Sequence, residues 1–321
     1  MSFRATLRRT IDSRPARAGL VVTLAAASAA AAVAQVGARW REASPLPLPR
    51  TEVAAARLGN EIAVVGGYLP WGDTSAQADV YSPVGDRWRR LPDLPSAVNH
   101  ASAASWRGRL YVVVGDPGTR PPVRDAWVFQ NGGWRTLPSM PAGRGAAGAA
   151  VVGNTLYVVG GVGPSGLARS AFAFDLVRQR WRIIPAPTPR EHLAVTAARG
   201  RVYAVAGRTS GLDTNLRIVE SYRPGTRRWT RLRPVPVARG GTAASTSGNL
   251  IVSVGGEAPQ GTIASVYGYD VRTRRWRRLP DLPTARHGLG AVTFGKRVYV
   301  IGGGPQPGLT TSGANEFLEL P

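Results

Sequence analysis

An all-β fold built from one repeated unit is what the sequence predicts, and three observations predict it. Trp40, Trp88, Trp134, Trp181, Trp229 and Trp276 stand 48, 46, 47, 48 and 47 residues apart, and self-similarity at such a period marks a repeat architecture. The phrase RWRRLPDLP occurs twice, letter for letter, at 87–95 and 275–283. Between the tryptophans, short apolar runs end in glycine, and none sustains the 3.6-residue apolar period of a helix.

One unit reads as four strands. In the last unit, RHGLGAVTF (286–294) is rich in Ala and Gly, as an innermost strand must be where six sheets crowd one axis. GK breaks it, and RVYVIGG (297–303) is the β-branched and aromatic run of a buried second strand. Its counterparts are IAVVGG, LYVVVGD, LYVVGG, VYAVAG and LIVSVGG. A variable Pro/Gly loop leads to a third strand ending in an aromatic, as in DVYS, FAFD, VESY and YGYD. A short turn then leads to the Trp strand at the outer edge, joined as antiparallel neighbours are. The Pro-rich phrase after each Trp carries the chain from rim to axis, a traverse that suits a residue with fixed φ and no N–H to donate.

The succession of a Gly doublet, an aromatic and a Trp reads Gly66-Gly67, Tyr81, Trp88 in the first unit and Gly255-Gly256, Tyr269, Trp276 in the fifth. It resembles the Kelch repeat over roughly residues 39–321, and the resemblance implies a six-bladed Kelch-type β-propeller. Gly115-Asp116 and Ala206-Gly207 replace the doublet in two units, so those blades are expected to bend differently there. Trp40 precedes any complete unit, and the last unit has ANEFLEL (314–320) but no Trp strand. The N-terminal strand around Trp40 is therefore expected to complete the last blade and leave no bare edge at the seam.

Residues 1–34 read as a secretory signal ahead of a propeller spanning 35–321. MSFRATLRRTIDSRPAR carries five arginines, AGLVVTLAAASAAAAV is apolar, and AVA (32–34) is a small-x-small cleavage site, cut after Ala34. Arg8-Arg9 admits a twin-arginine route, and an uncleaved anchor is the alternative, although the run is short and Ala-rich against the ~20 residues a span needs. The mature protein is then expected outside the cytoplasm, secreted or in the periplasm or cell envelope, as a monomer. With no cysteine, disulfides, thiol chemistry and a lipoprotein anchor are excluded. So is the Cys–Tyr cross-link that a galactose-oxidase-like copper enzyme, which shares the Kelch propeller, would require.

The net charge is +22. Removing residues 1–34 takes away five arginines and Asp12, leaving +18, and Lys296 is the only lysine. An Arg bias beside abundant Ala and Gly is also what a GC-rich coding sequence produces. Read functionally, the arginines flanking the Trp strands, such as Arg87, Arg89, Arg90, Arg227, Arg228, Arg275, Arg277 and Arg278, form a basic belt round the rim. Such a belt suits an anionic membrane surface or an acidic envelope polymer. Nucleic acid is not expected, since no recognition module or base-stacking array appears.

The strand order puts short, similar turns on one face and the irregular loops on the other. That loop face also receives a ring of arginines ten residues after the Trp: Arg50, Arg144, Arg239 and Arg286, with Arg190 one position early and Val98 in the second unit. The Kelch resemblance implies that these line a ligand-facing mouth, where Arg would hold carboxylate or phosphate bidentately. The alternative is that each tethers the backbone carbonyls of a neighbouring blade. His100, His192 and His287 fall on the same edge in the second, fourth and sixth units. They invite a three-His metal site but are offset in register, so no metal and no cofactor is expected. Two classes of function remain. One is a non-catalytic binding or scaffold propeller that takes an anionic small molecule, a glycan, a polymer or a protein partner on the arginine-ringed face. The other is a sugar-modifying enzyme: GGEAPQG (255–261) is similar to the Gly-Glu loop of the N-acetylneuraminate epimerase group, which would make Glu257 a general base. No nucleophile–base–orienter set accompanies Glu257, so the binding class is preferred.

Overall fold

The computed structural model describes residues 37–113, 115–118 and 122–321. The expected signal segment and its cleavage site lie outside the described residues. Residues 37–321 form one compact unit of six four-stranded antiparallel sheets arranged as blades of a propeller. The first blade has strands Ala54–Leu58, Glu61–Val65, Ala78–Ser82 and Arg87–Arg90, from the axis outward. The same order recurs in every blade, and the innermost strand of each contacts that of the next.

Crowding at the axis explains the small residues of the inner strands. A Cβ added at Gly148 would overlap the side chain of Val195 in the next blade, and one at Gly290 would overlap Ala55. The second strands are sandwiched between blades: Ile62, Ala63, Val64 and Val65 are all fully buried, as a strand with both faces covered must be. Apolar side chains fill each gap between neighbours, for example Val80, Leu110 and Trp127 between the first two blades, and Tyr299, Phe317 and Ile62 between the last and the first.

The ring closes as the sequence predicts. Arg39–Glu42 is the outer strand of the sixth blade, pairing antiparallel with Asn315–Glu319 so that Trp40 faces Leu318 and Arg41 faces Phe317. The indole N–H of each repeated Trp then donates to a carbonyl of the preceding blade's traverse. Trp88 reaches Ser44, Trp134 reaches Pro92, Trp181 reaches Pro138, Trp229 reaches Pro185 and Trp276 reaches Arg233. At the seam Trp40 reaches Pro280 at 2.9 Å. The Trp period is thus a series of staples between adjacent blades.

The glycine doublet makes a second such series. The N–H groups of Gly67, Gly115, Gly161, Gly207, Gly256 and Gly303 each donate to the carbonyl of the residue at the arginine position of the next blade, Val98, Arg144, Arg190, Arg239, Arg286 and Arg50. Gly115 therefore holds the second glycine's place, one position earlier than the pairing Gly115-Asp116 implied. Ala206 adopts φ +57°, the left-handed turn that Gly66 makes at φ +64°. The fourth blade bends like the others and carries the strain of a Cβ there.

Candidate functional site at the propeller mouth

The arginine ring is built into the blades. Arg50, Arg190, Arg239 and Arg286 are fully buried, and Arg144 is 6% exposed. Arg190 donates to the carbonyls of Ala204, Ala206 and Thr188 and pairs with Glu220 at 2.6 Å. Arg286 repeats this with Val300, Gly302, Thr284 and Glu316, and Arg50 pairs with Asp79. Where the third strand offers an aromatic in place of an acid, the guanidinium lies over it: Arg144 is 4.5 Å from the ring of Phe172 and Arg239 is 5.7 Å from that of Tyr267. The second blade has Val98 for the arginine and Trp127 opposite, both buried in one apolar cluster. Burial pushes Arg50 and Arg239 down to about 10, so both remain charged at neutral pH. The structure thus favours the tethering alternative over a ligand-facing ring, with the carbonyls belonging to the same blade rather than a neighbouring one. A buried guanidinium needs protein partners, and here those carbonyls and the third-strand residue supply them. Among these arginines only Arg50 Nε is buried without a hydrogen bond.

Two residues after each arginine position the chain turns through left-handed φ, at Glu52, His100, Ala146, His192, Gly241 and Gly288. The N–H of His100 donates to the carbonyl of Glu52, Ala146 to His100, His192 to Ala146, Gly241 to His192 and Gly288 to Gly241. This run of hydrogen bonds passes round the axis, is completed at the seam by the Val53 N–H donating to the Gly288 carbonyl, and sets one residue per blade around the mouth. His192 therefore shares the position of His100, whereas His287 sits one residue earlier, level with Glu191. Three-fold symmetry of the histidines is not what forms. Instead Glu52, which no sequence motif singled out, joins His100 and His192.

One residue per blade from the loop after the second strand completes the floor, because Thr51, Asn99, Gly145, Glu191, Gly240 and His287 bridge Tyr68, Asp116, Val162, Arg208, Glu257 and Gly304. His100 Nε2 lies 3.1 Å from His192 Nε2 and 3.4 Å from Glu52 Oε2. His287 Nδ1 is 3.3 Å from Glu52 Oε1 and 3.6 Å from Glu257 Oε1. Arg208 donates to Glu191 at 3.2 Å and to Glu257 at 2.7 Å. Burial alone would raise the Glu52 carboxyl, but His100, His287 and His192 outweigh it and hold it well below the usual carboxylate range. Burial holds His100 below its ordinary value against the pull of Glu52. For His287 the balance tips upward, because Glu52 and Glu257 outweigh its burial.

Above this floor opens a cavity of about 1100 Å³, with the exposed side chains of Trp71 (64%) and Leu309 (55%) at its rim. Below it, a narrower channel of about 460 Å³ runs between the inner strands. Glu257 is 3% exposed, and its oxygens accept from Arg208 and from the N–H of Gly308 at 3.2 Å. A carboxylate so engaged ties neighbouring loops together, and it also lines the mouth cavity. The exposed positive charge lies elsewhere: Arg87, Arg89, Arg90, Arg180, Arg182, Arg227, Arg228, Arg275, Arg277 and Arg278 are exposed on or beside the outer strands, with Arg89, Arg90 and Arg278 paired to Glu61, Asp93 and Asp281.

Fold and mouth together define the class: a six-bladed β-propeller with an ionisable floor on its loop face. Residues 52–234 and 134–303 match the KLHDC2/KLHL20/DRC7 Kelch-repeats domain, and the chain belongs to the Kelch-repeat family. It is 31% identical over 245 residues to Kelch-like protein terF of Aspergillus terreus, covering 68% of this chain and 52% of that protein. It is 29% identical over 240 residues to human Kelch-like protein 34 (72% and 30%) and 25% identical over 231 residues to alpha-scruin of Limulus polyphemus (69% and 20%). The chain thus spans about half the length of the first of these relatives and less than a third of the second.

Proposed function

We propose that this propeller is a non-catalytic binding domain, acting outside the cytoplasm, whose mouth holds a segment of an anionic partner protein. One observation carries the reading. The mouth cavity, its exposed Trp71 and Leu309 and its polar floor are concentrated on the loop face. An exposed aromatic beside a cavity with a few converging polar groups is what interface anchors look like. The floor itself sets Glu191 and Glu257 against Arg208, and Glu52 against His100 and His287, so three carboxylates already occupy it and a further anionic group is not favoured there. The exposed arginine belt supplies the attraction for a negatively charged partner and draws it in over a distance. An acidic glycan, an envelope polymer or an anionic lipid surface would meet the same belt but would leave the mouth unfilled.

A photo-reactive residue placed at Trp71, and in a second sample at Asn154 on the turn face, tests this in producing cells. The reading expects one recurrent protein adduct from position 71 and none from 154. Adducts from 154 alone, or to lipid or glycan only, would overturn it. For export, N-terminal sequencing of the cell-derived protein should begin at or near Gln35. An intact N-terminus that sediments with membranes would contradict that part.

A further inference from the structure

Three lone-pair atoms converge on the axis of the mouth: Oε2 of Glu52, Nε2 of His100 and Nε2 of His192. The edges His100–His192 and His100–Glu52 are 3.1 and 3.4 Å, and the ligand atoms of the three residues all lie within 4.8 Å of one another. Tetrahedral zinc bound at about 2.0–2.1 Å places its ligand atoms about 3.3–3.4 Å apart. Two edges of the triangle thus stand close to the spacing a bound ion would impose.

The far atom of each residue has its own neighbour. His100 Nδ1 is 2.5 Å from Asn99 Oδ1, and the Asn99 amide nitrogen donates to Thr74 Oγ1 at 2.7 Å, which fixes the end of the amide that faces the ring. His192 Nδ1 lies 3.3 Å from Glu191 Oε1, an oxygen held in turn by Arg208. Glu52 Oε1 lies 3.3 Å from His287 Nδ1. Asn99 Oδ1 holds the ring proton of His100 on Nδ1, and the Glu191 carboxylate beside His192 Nδ1 favours the same tautomer there. With both rings in that form, two Nε2 lone pairs and a carboxylate oxygen face one another. Such a trio repels itself unless a cation sits within it. This is the outer support that metal-ligating histidines and carboxylates characteristically have.

We propose that Glu52, His100 and His192 form a binding site for a divalent transition metal of the zinc class. Two imidazoles and a carboxylate suit Zn²⁺, Co²⁺, Ni²⁺ or Cu²⁺ rather than the oxygen-seeking Ca²⁺ and Mg²⁺. All three residues line the mouth cavity, so a fourth position is left for water or for a donor atom from whatever occupies the mouth. The inference rests on these ligand atoms and not on the partner reading above. His287, behind Glu52, is a positioning residue.

The test uses the full chain without a polyhistidine tag, stripped with a chelator and titrated with Zn²⁺ alone and with Co²⁺ alone. One ion per chain should bind, Co²⁺ should give the visible absorption bands of a low-coordinate nitrogen–oxygen site, and Zn²⁺ should raise the melting temperature. His192→Ala and Glu52→Gln should each weaken Zn²⁺ binding at least 100-fold, while His287→Ala should keep one ion per chain with an affinity reduced about 10-fold, as for loss of an outer partner. The Co²⁺ spectrum and stoichiometry of the unaltered protein stand even if a variant fails to fold. No saturable binding to the unaltered protein, unchanged affinity in His192→Ala, or loss of the site in His287→Ala alone would overturn the proposal. The first of these would leave a proton shared between the two imidazoles as the cation at this point.

Discussion

Arg286 is as inaccessible as the core leucines, and it keeps company with an acid and three carbonyls rather than with solvent. Its position was legible in the sequence and its direction was not, because a period shows where a residue recurs and not which way it points. A signal did exist: the partner follows 28–30 residues later on the third strand, as Asp79, Phe172, Glu220, Tyr267 and Glu316, and where Val98 replaces the arginine the partner is Trp127. This pairing predicts a double-mutant cycle. Val98→Arg and Trp127→Glu should each destabilise the domain strongly, as unpaired buried charges do. The double variant should recover ~0.5–3 kcal/mol of coupling by urea unfolding, and no coupling would contradict the rule. Arg144→Ala, which loses hydrogen bonds to Gly143 and Ser170 but no carboxylate, should cost about 1–3 kcal/mol.

At the scale of the element, strand order, the glycine turns and the Trp strands could be read directly, since each has a residue type that its geometry demands. The floor of the mouth could not, because the fourth unit is one residue short between Trp181 and Arg190. Counting from the tryptophans groups His192 with His287. Counting from the arginines puts Glu52, His100, Ala146, His192, Gly241 and Gly288 in one column, which is the column the structure places at the axis. Glu52 escaped notice because Glu at a blade start belongs to no repeat motif. The Trp staples carry a prediction of their own. Trp181→Phe keeps the ring against Phe174, whose centroid is 4.6 Å away, but loses the hydrogen bond to Pro138. Unfolding should become easier by about 1 kcal/mol, and an unchanged midpoint would mean the indole N–H is equally well served by water.

On the scale of the whole molecule, the N-terminal strand is the clasp of the ring. Deleting residues 37–44 removes the outer strand of the sixth blade and the staple from Trp40 to Pro280, and bares the edge of Asn315–Glu319. The whole domain should then melt earlier in one cooperative step, and scanning calorimetry that finds the original melting temperature would contradict the closure. Closure also explains why buried arginines are tolerated: each lies inside its own blade, and the blades are stapled to one another at the indoles and at the glycine turns. If the arginines build the ring, the site is left to Glu52, His100 and His192 and to the cavity above them. The unfolding free energy of Arg286→Ala decides this most directly. A loss of ~3–5 kcal/mol, as for breaking a buried ion pair, is the result this structure predicts. A value within about 0.5 kcal/mol of the unaltered protein, the range of an ordinary surface change, would return Arg286 to the mouth as a ligand-facing residue.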